Sequence, residues 1–452
     1  MVTLLTALGI VLFFLGLLFS IAWHELGHLS TAKMFGIRCT QYMVGFGKTL
    51  WSRKWGDTEY GVKLVPLGGY VRLVGMIPPA AKPRQTSGKP MSRWRAMVED
   101  AREANSVELE PGDEDRQFYQ RAPWKRIIVM VAGPAMNLIL AIVLFTIIMM
   151  GIGLPQNTNT VGTVAQCVLP ADSTRTDCPA DAPPTPASQA GLEPGDEIVG
   201  LAGEPTPDWY AVNVAIREHI GPTQMTIERD GETRTLTVDL IENQVVARDG
   251  EGDIVYERGP DGEIVTDDQG YRVPATESAG FLGITFAQER RPLTVAESAE
   301  TMWGSVVGVA QALVELPSKV DDVFGAAFLG EERGVDSPVG IVGASRIGGE
   351  VLSQPIPLTD RVVFLVNMLA GVNLFLFAFN MVPILPLDGG HIFGALWESL
   401  RRRLARLFRR PDPGPFDVAQ LMPVAYLVVA CFVVFSLMLL VADVVNPVRL
   451  TQ

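Results

Sequence analysis

The chain has 452 residues, 48% of them hydrophobic, and a formal charge of -13 from 37 basic and 50 acidic side chains. That acidic balance excludes a general nucleic-acid binder, which needs a basic surface to grip phosphate, and so much apolar sequence excludes disorder. Four cysteines are too few for a cysteine-built zinc module or a disulfide-stapled secreted fold, so any metal needs other ligands.

A membrane helix needs roughly 20 residues of largely uncharged chain. The first such run, residues 4–23, lacks a basic N-terminal region and passes into His24, Glu25 and His28 without a small-residue cleavage site. It reads as a retained helix within 1–33, not a secretory signal. Residues 34–126 form a basic connection, with 17 Lys and Arg over 33–126. Within it, 42–76 is strand-like and punctuated by Gly45-Phe46-Gly47 and Pro66-Leu67-Gly68-Gly69-Tyr70-Val71. This predicts a β-hairpin apolar enough to dip toward the bilayer, where an unpaired strand edge is costly unless it finds a partner. Residues 80–117 are charged and poor in aromatics, the composition of a mobile insertion. A second membrane helix is predicted over 127–154.

Residues 155–292 have the makings of an α+β domain. Ala190-Gly191-Leu192-Glu193-Pro194-Gly195-Asp196-Glu197-Ile198 is followed by Gly203, a helix-like stretch over 209–219 and an alternating run over 224–240. This order resembles a PDZ domain, in which Gly191, Leu192, Gly195 and Asp196 would form a loop turning backbone N–H groups toward a peptide carboxylate; an ordinary turn before a strand is the plainer alternative. Cys167 and Cys178 flank a Pro/Asp/Ala-rich stretch, and either bridge or stay free. The Gly/Asp-rich residues 246–275 look like a long hairpin or an insertion, with no evident chemistry. Residues 293–360 turn helical and amphipathic, and the charge-free run 301–314 is too short to span.

A third membrane helix is predicted over 361–388, a basic loop over 389–417 with Arg401, Arg402, Arg403, Arg406, Arg409 and Arg410, and a fourth helix over 418–445. The arginine cluster reads as topology and lipid-surface contact. By the positive-inside rule the two basic connections face the cytoplasm. Residues 155–360, with 12 basic against 34 acidic side chains, then lie outside with both termini. The expected fold is a polytopic α-helical membrane protein: four transmembrane helices, an extracytoplasmic α+β domain and a membrane-associated hairpin on the cytoplasmic side.

The chemistry sits in His24-Glu25-Leu26-Gly27-His28. Imidazoles at i and i+4 share a helical face and suit one Zn²⁺, with Glu25 placed to take a proton from water. The motif continues an apolar span, where ionisable side chains are expensive and functional as a rule, so a merely solvated helix face fits poorly. A catalytic zinc takes three protein ligands. His219 lies outside and His391 at a cytoplasmic border, which makes a carboxylate the better third ligand; Asp388, in Asn380-Met381-Val382-Pro383-Ile384-Leu385-Pro386-Leu387-Asp388-Gly389, is the candidate. The first and third spans run in the same direction, so His24, His28 and Asp388 reach similar depth. Pro383 and Pro386 should interrupt the helix there.

These two segments resemble the signature motifs of the site-2 proteases, intramembrane zinc metalloproteases, and within them the bacterial regulator-of-sigma-E type. The resemblance extends to Gly133-Pro134-Ala135-Met136-Asn137, to the glycine-rich hairpin and to the outer PDZ domain. The 29 Arg against 8 Lys fit a GC-rich, actinobacterial source. The resemblance implies one Zn²⁺ held by His24, His28 and Asp388, with Glu25 as catalytic base and Asn380 assisting substrate or transition state. Asn137, Gly68, Gly69 and Tyr70 are further substrate-contacting candidates, although Asn137 and Asn373 serve equally as interhelical hydrogen bonders. It further implies a bacterial plasma-membrane enzyme with its active site near the cytoplasmic face. Its substrates would be single-span membrane proteins such as anti-sigma factors, first trimmed by a site-1 protease. A PDZ scaffold with structural zinc and a transporter using intramembrane His and Asp are the rivals; metal-dependent cleavage and ion flux separate them.

Overall fold

The computed structural model describes residues 2–79, 92–106, 110–169, 178–179, 182–248, 254–259, 264–265, 273–331, 333 and 337–448. These divide into two compact units: a helical one built from both ends of the chain and from 296–333, and a β-rich one over 149–295.

Helix α1 (Val2–Met34) carries the apolar run straight through the His24 to His28 motif. Strands β1 (Cys39–Trp55) and β2 (Thr58–Leu73) then form an antiparallel ribbon. Gly45 and Gly47, with φ of +93° and +84°, let β1 double back. Its first half, 41–44, therefore pairs with 59–62 on one side and 69–72 on the other, while its second half pairs with the start of β2. Two strands thus build a sheet four segments wide, where a simple hairpin would be marginal. Gly69 to Leu73 form one border of it, with no strand on their outer side among the described residues.

The segment expected to be a mobile insertion is partly ordered. Residues 80–91 and 107–109 lie outside the described residues, but α2 (Arg93–Ser106) buries Val98 and Ala101 and ion-pairs Arg102 with Asp417. Beyond it the buried Arg38 guanidinium meets Asp113 and Glu110 at 2.6 Å each. Few aromatics rule out a large core, but not one docked helix face and two carboxylates closed on an arginine. Pro123 opens α3 (Pro123–Thr146), where its missing N–H costs nothing, and a π-helical turn over Ile147–Ile152 ends it.

The β-rich unit contains β3 (Leu154–Val164), α4 (Pro186–Gln189), β4 (Glu197–Leu201), β5 (Glu204–Pro205), α5 (Trp209–Glu218), β6 (Gly221–Arg229), β7 (Glu232–Val246), β8 (Thr276–Phe281) and β9 (Ile284–Arg291). The sheet order is β8-β7-β6-β4-β3-β9, with β5 on β4 and β9 at an edge. Alternate residues of β4 and β6, including Ile198, Met225 and Ile227, pack with Val212 of α5 in a closed core. The alternating run 224–240 is two strands, not one. Asp230 and Gly231, both at positive φ, turn the chain as the Asp-Gly hairpin signal requires. Cys167 and Cys178 are disulfide-bonded.

Much of 246–275 lies outside the described residues; the rest carries antiparallel bridges between Arg248 and Ile254, Tyr256 and Pro274, and Arg258 and Ile264. Ala247, Val255 and Ala275 close a ring of three backbone hydrogen bonds of 2.7–3.0 Å, and Glu257, Val265 and Val273 close a second of 2.8–2.9 Å.

The chain returns through α6 (Val295–Glu315), α7 (Val320–Phe324) and α8 (Ile341–Ser353). Asp443 caps α8 by accepting the Gly343 N–H at 2.8 Å while ion-pairing Arg333 at 2.8 Å, both side chains almost fully buried. Next come α9 (Leu358–Asn380), α10 (Asp388–Leu407) and α11 (Met422–Val445). The third apolar run stops being helical at Asn380, short of Pro383, and the region expected as a basic loop is α10. Among the described residues four helices are long and apolar enough to cross a membrane: Leu4–Met34, Pro123–Ile152, Leu358–Asn380 and Val418–Val445.

Candidate active site

His24 and His28 stand one turn apart on α1, so their rings project from the same face. That face meets α3 where both helices are nearly bare. A Cβ on Gly27 would lie 2.3 Å from the Ala132 carbonyl oxygen, and one on Gly133 would lie 2.2 Å from His28 Nε2. Gly133 is therefore the seat of the His28 ring. With the ring seated, His28 Nδ1–H donates to the Val129 carbonyl at 2.8 Å. This fixes the tautomer and leaves Nε2 a bare lone pair.

The third group arrives from the loop between α9 and α10, which passes through a cis Leu385–Pro386 bond and opens α10 at Asp388. A Cβ on Gly389 would sit 2.2 Å from the Val382 carbonyl oxygen, so the tight return of the chain depends on glycine there. Asp388 Oδ2 lies 3.3 Å from Nε2 of each histidine, and the two Nε2 atoms lie 3.1 Å apart. Ligands at about 2.0–2.1 Å around a tetrahedral Zn²⁺ are about 3.3–3.4 Å from one another. The observed triangle has that size. Its atoms are also of the right kind, for Asp388 Oδ2 is buried without a hydrogen-bond donor. Three lone pairs converging on one point fit a cation and little else.

Asn137 completes the surround. It is fully buried on α3, its Nδ2 lies 3.2 Å from His24 Nδ1, and its Oδ1 has no partner. Turning the amide brings Oδ1 to the ring as the acceptor, which makes Nδ1–H the donor and Nε2 the bare atom. Val129, Gly133 and Asn137 recur every fourth residue and form one stripe of α3 against the two imidazoles. The Gly133 to Asn137 spacing was visible in the sequence; what it served was not.

Glu25 lies beside the triangle, half-buried. The Val71 backbone N–H faces its carboxylate, and a Cβ on Gly69 would approach its Cγ to 3.1 Å. The border segment of the ribbon thus runs alongside the acid. Gly69 and Tyr70 pair with Val44 and Met43, Gly68 turns the chain at φ +117°, and the Tyr70 hydroxyl donates to Gln41 Oε1 at 3.1 Å. Asn380 ends α9 with its Nδ2 on the Leu376 carbonyl at 2.9 Å, a bond within its own helix. Asn373 joins helices, donating to Ser20 Oγ at 2.8 Å.

The Gly191 to Asp196 loop differs from expectation. The N–H groups of Gly191, Leu192, Glu193, Gly195 and Asp196 go to Ser188, Ala187, the Asp196 side chain, Val161 and Glu193. Pro194 has none to give. Arg229 clamps the Asp196 carboxylate through Nε at 2.6 Å and a second nitrogen at 2.7 Å. With every donor used internally, the loop is a structural turn and has no N–H left for a peptide carboxylate.

The sequence matches peptidase family M50 over residues 12–410. It is 34% identical over 460 residues to the zinc metalloprotease Rip1 of Mycobacterium tuberculosis strain H37Rv, covering 98% of this chain and 99% of that protein. Identity to the zinc metalloprotease Rip1 of Mycolicibacterium smegmatis is 31% over 458 residues, again 98% of this chain and 99% of the other. The zinc metalloprotease RasP of Geobacillus kaustophilus is 29% identical over 264 residues, 48% of this chain and 59% of that protein. Since the match runs from the first apolar helix through His24, His28 and Asp388 to the arginines after α10, this chain belongs to peptidase family M50, the site-2 proteases, and is a zinc metalloprotease.

Proposed function

We propose that the enzyme cuts single-span membrane proteins within or beside their transmembrane helix, as one step of regulated intramembrane proteolysis. The observation that carries this is the origin of the ligands: His24 and His28 lie inside an apolar helix and Asp388 follows the end of another, which supports a metal at membrane depth. His24, His28 and Asp388 would hold the zinc there, and it would supply Lewis acidity to the scissile carbonyl and to the attacking water. Glu25 takes the proton from that water and passes it to the leaving amine. A helical substrate hides its carbonyls in its own hydrogen bonds, so it must unwind locally. The open border of Gly69 to Leu73, running beside Glu25, offers an extended chain the partners it lost. Asn380 turns to the substrate from the end of α9.

The substrates are anti-sigma factors or similar single-span proteins already trimmed by a site-1 protease. The two basic connections face the cytoplasm, and the β-rich unit lies outside with both termini, in the plasma membrane of a bacterium. That unit acts as a PDZ domain that screens substrates by the size of their outer part. Its peptide partner adds to β9, the last strand in the sheet order among the described residues, instead of the Gly191 to Asp196 turn.

The test is cleavage of a pre-trimmed single-span substrate by wild type and Glu25→Gln at equal zinc content, with products read by mass spectrometry. Losing the general base should cost about 10²–10⁴-fold in rate. Equal cleavage by both proteins would remove Glu25 from the mechanism.

A further inference from the structure

The helix that begins at the ligand Asp388 has two faces. Gly390, Ile392, Gly394, Ala395 and Glu398 are buried against the protein. The opposite face presents Phe393, Leu396, Trp397, Leu400, Leu404 and Leu407, all exposed. Steps of three and four residues put these six on a single stripe, and among the described residues nothing covers it. Arg403 and Arg406 border the stripe, and Arg409 and Arg410 follow it. All four are exposed, and none ion-pairs within the described residues, whereas Arg402 is held by Glu398 at 3.0 Å. The flanking helices α9 and α11 are both long and apolar enough to span, which places α10 at a membrane surface.

We propose that α10 is an interfacial helix seated on anionic lipid. Its apolar stripe enters the boundary between headgroups and acyl chains while the four arginines take lipid phosphates. Charge complementarity selects this occupant: a protein partner for the stripe would leave four unpaired cations at its rim, whereas an anionic leaflet meets both features together. Because α10 is one uninterrupted helix from its first residue, its seat in the lipid sets the depth at which Asp388 stands. The surface charge of the bilayer thereby becomes an input to the geometry of the metal centre.

The full chain in nanodiscs, one copy per disc, tests this without measuring proteolysis. The probe is phosphatidylcholine with or without phosphatidylglycerol, carrying bromine high or low on the acyl chains. The readout is the tryptophan emission lost in Trp397→Phe. Bromine near the headgroups should quench Trp397 more than bromine at the bilayer centre, and quenching should grow with phosphatidylglycerol and fall with salt. Replacing Arg403, Arg406, Arg409 and Arg410 by Gln should abolish the phosphatidylglycerol and salt dependence at unchanged zinc content, and replacing them by Lys should preserve it. A Trp397 that no brominated lipid quenches, quenching indifferent to phosphatidylglycerol, or shielding that appears only with two copies per disc would each overturn the proposal. Failure of the proteolytic reading would leave this signal unchanged.

Discussion

Asp388 and Asp196 are both acids drawn out of water, one at the start of a helix and one at the end of a turn, and their neighbours differ in kind. Around Asp196 both carboxylate oxygens meet donors, from Arg229 twice and from the Glu193 N–H at 2.9 Å. At Asp388, Oδ2 has no donor and faces two imidazole nitrogens at 3.3 Å whose own lone pairs point the same way. The first arrangement is complete and neutral, and holds a fold together. The second is incomplete until a cation enters. Burial alone therefore does not mark a functional carboxylate; the sign of what surrounds it does.

If that contrast is right, damage at the two places should differ in what is lost. The largest effect is expected for Asp388→Ala, which removes one of the three proposed ligands: zinc measured by mass spectrometry should fall well below one per chain and cleavage should vanish, with the melting of the β-rich unit unchanged. Gly133→Ala should come next. The new methyl cannot coexist with the His28 ring at its present place, so zinc affinity should drop although no ligand was altered; full affinity would mean the ring is not seated on α3. Asn137→Ala deletes only the group that orients His24. A loss of about 10–100-fold in zinc affinity is expected, as for outer partners of metal-bound histidines, and competition with a chelator measures it.

The smallest effect on chemistry belongs to Asp196→Asn. Burial pushes the Asp196 carboxyl upward, but the Arg229 guanidinium and the Glu193 N–H more than reverse this and hold it below the usual carboxylate range. The bonus is therefore present above the unfolded value of about 3.9 and disappears as pH falls through the lower native one. Thermal scans should show Asp196→Asn melting earlier than wild type at neutral pH and converging with it in acid, with zinc content untouched. A gap that persists in strong acid would argue against the ion pair.

The candidate metal site was legible because His24, His28 and Asp388 each lie in a short motif whose spacing has chemical meaning, and because ionisable side chains in an apolar run are conspicuous. Its surround was not, since Gly133 and Asn137 act across α1 and α3, and no local pattern says which face of one helix meets the other. The Gly195-Asp196 motif misled for the opposite reason. The sequence Glu-Pro-Gly-Asp-Glu occurs twice, at Glu110 and at Glu193, and builds the same turn both times, with the Asp carboxylate on the first Glu N–H at 3.0 and 2.9 Å and an arginine clamped at 2.6 Å. A motif that folds alike in two surroundings reports a local conformation, not a binding site. The four apolar spans were readable from composition, whereas α10 was hidden in the basic residues that made it look like a loop.

Arg126 and Glu398 form an ion pair in which both side chains are nearly inaccessible to water. Arg126 precedes Val129, the anchor of His28, by three residues on α3, and Glu398 lies ten residues beyond Asp388 on α10. The two sides of the ligand triangle are thus cross-braced at a point outside it, like a truss whose diagonal lies away from the joint it stiffens. The opening between the imidazoles and the carboxylate is then set by the helical framework and not by the ion it receives. Filling or emptying it becomes a local event, with little conformational entropy for the metal to remove on arrival.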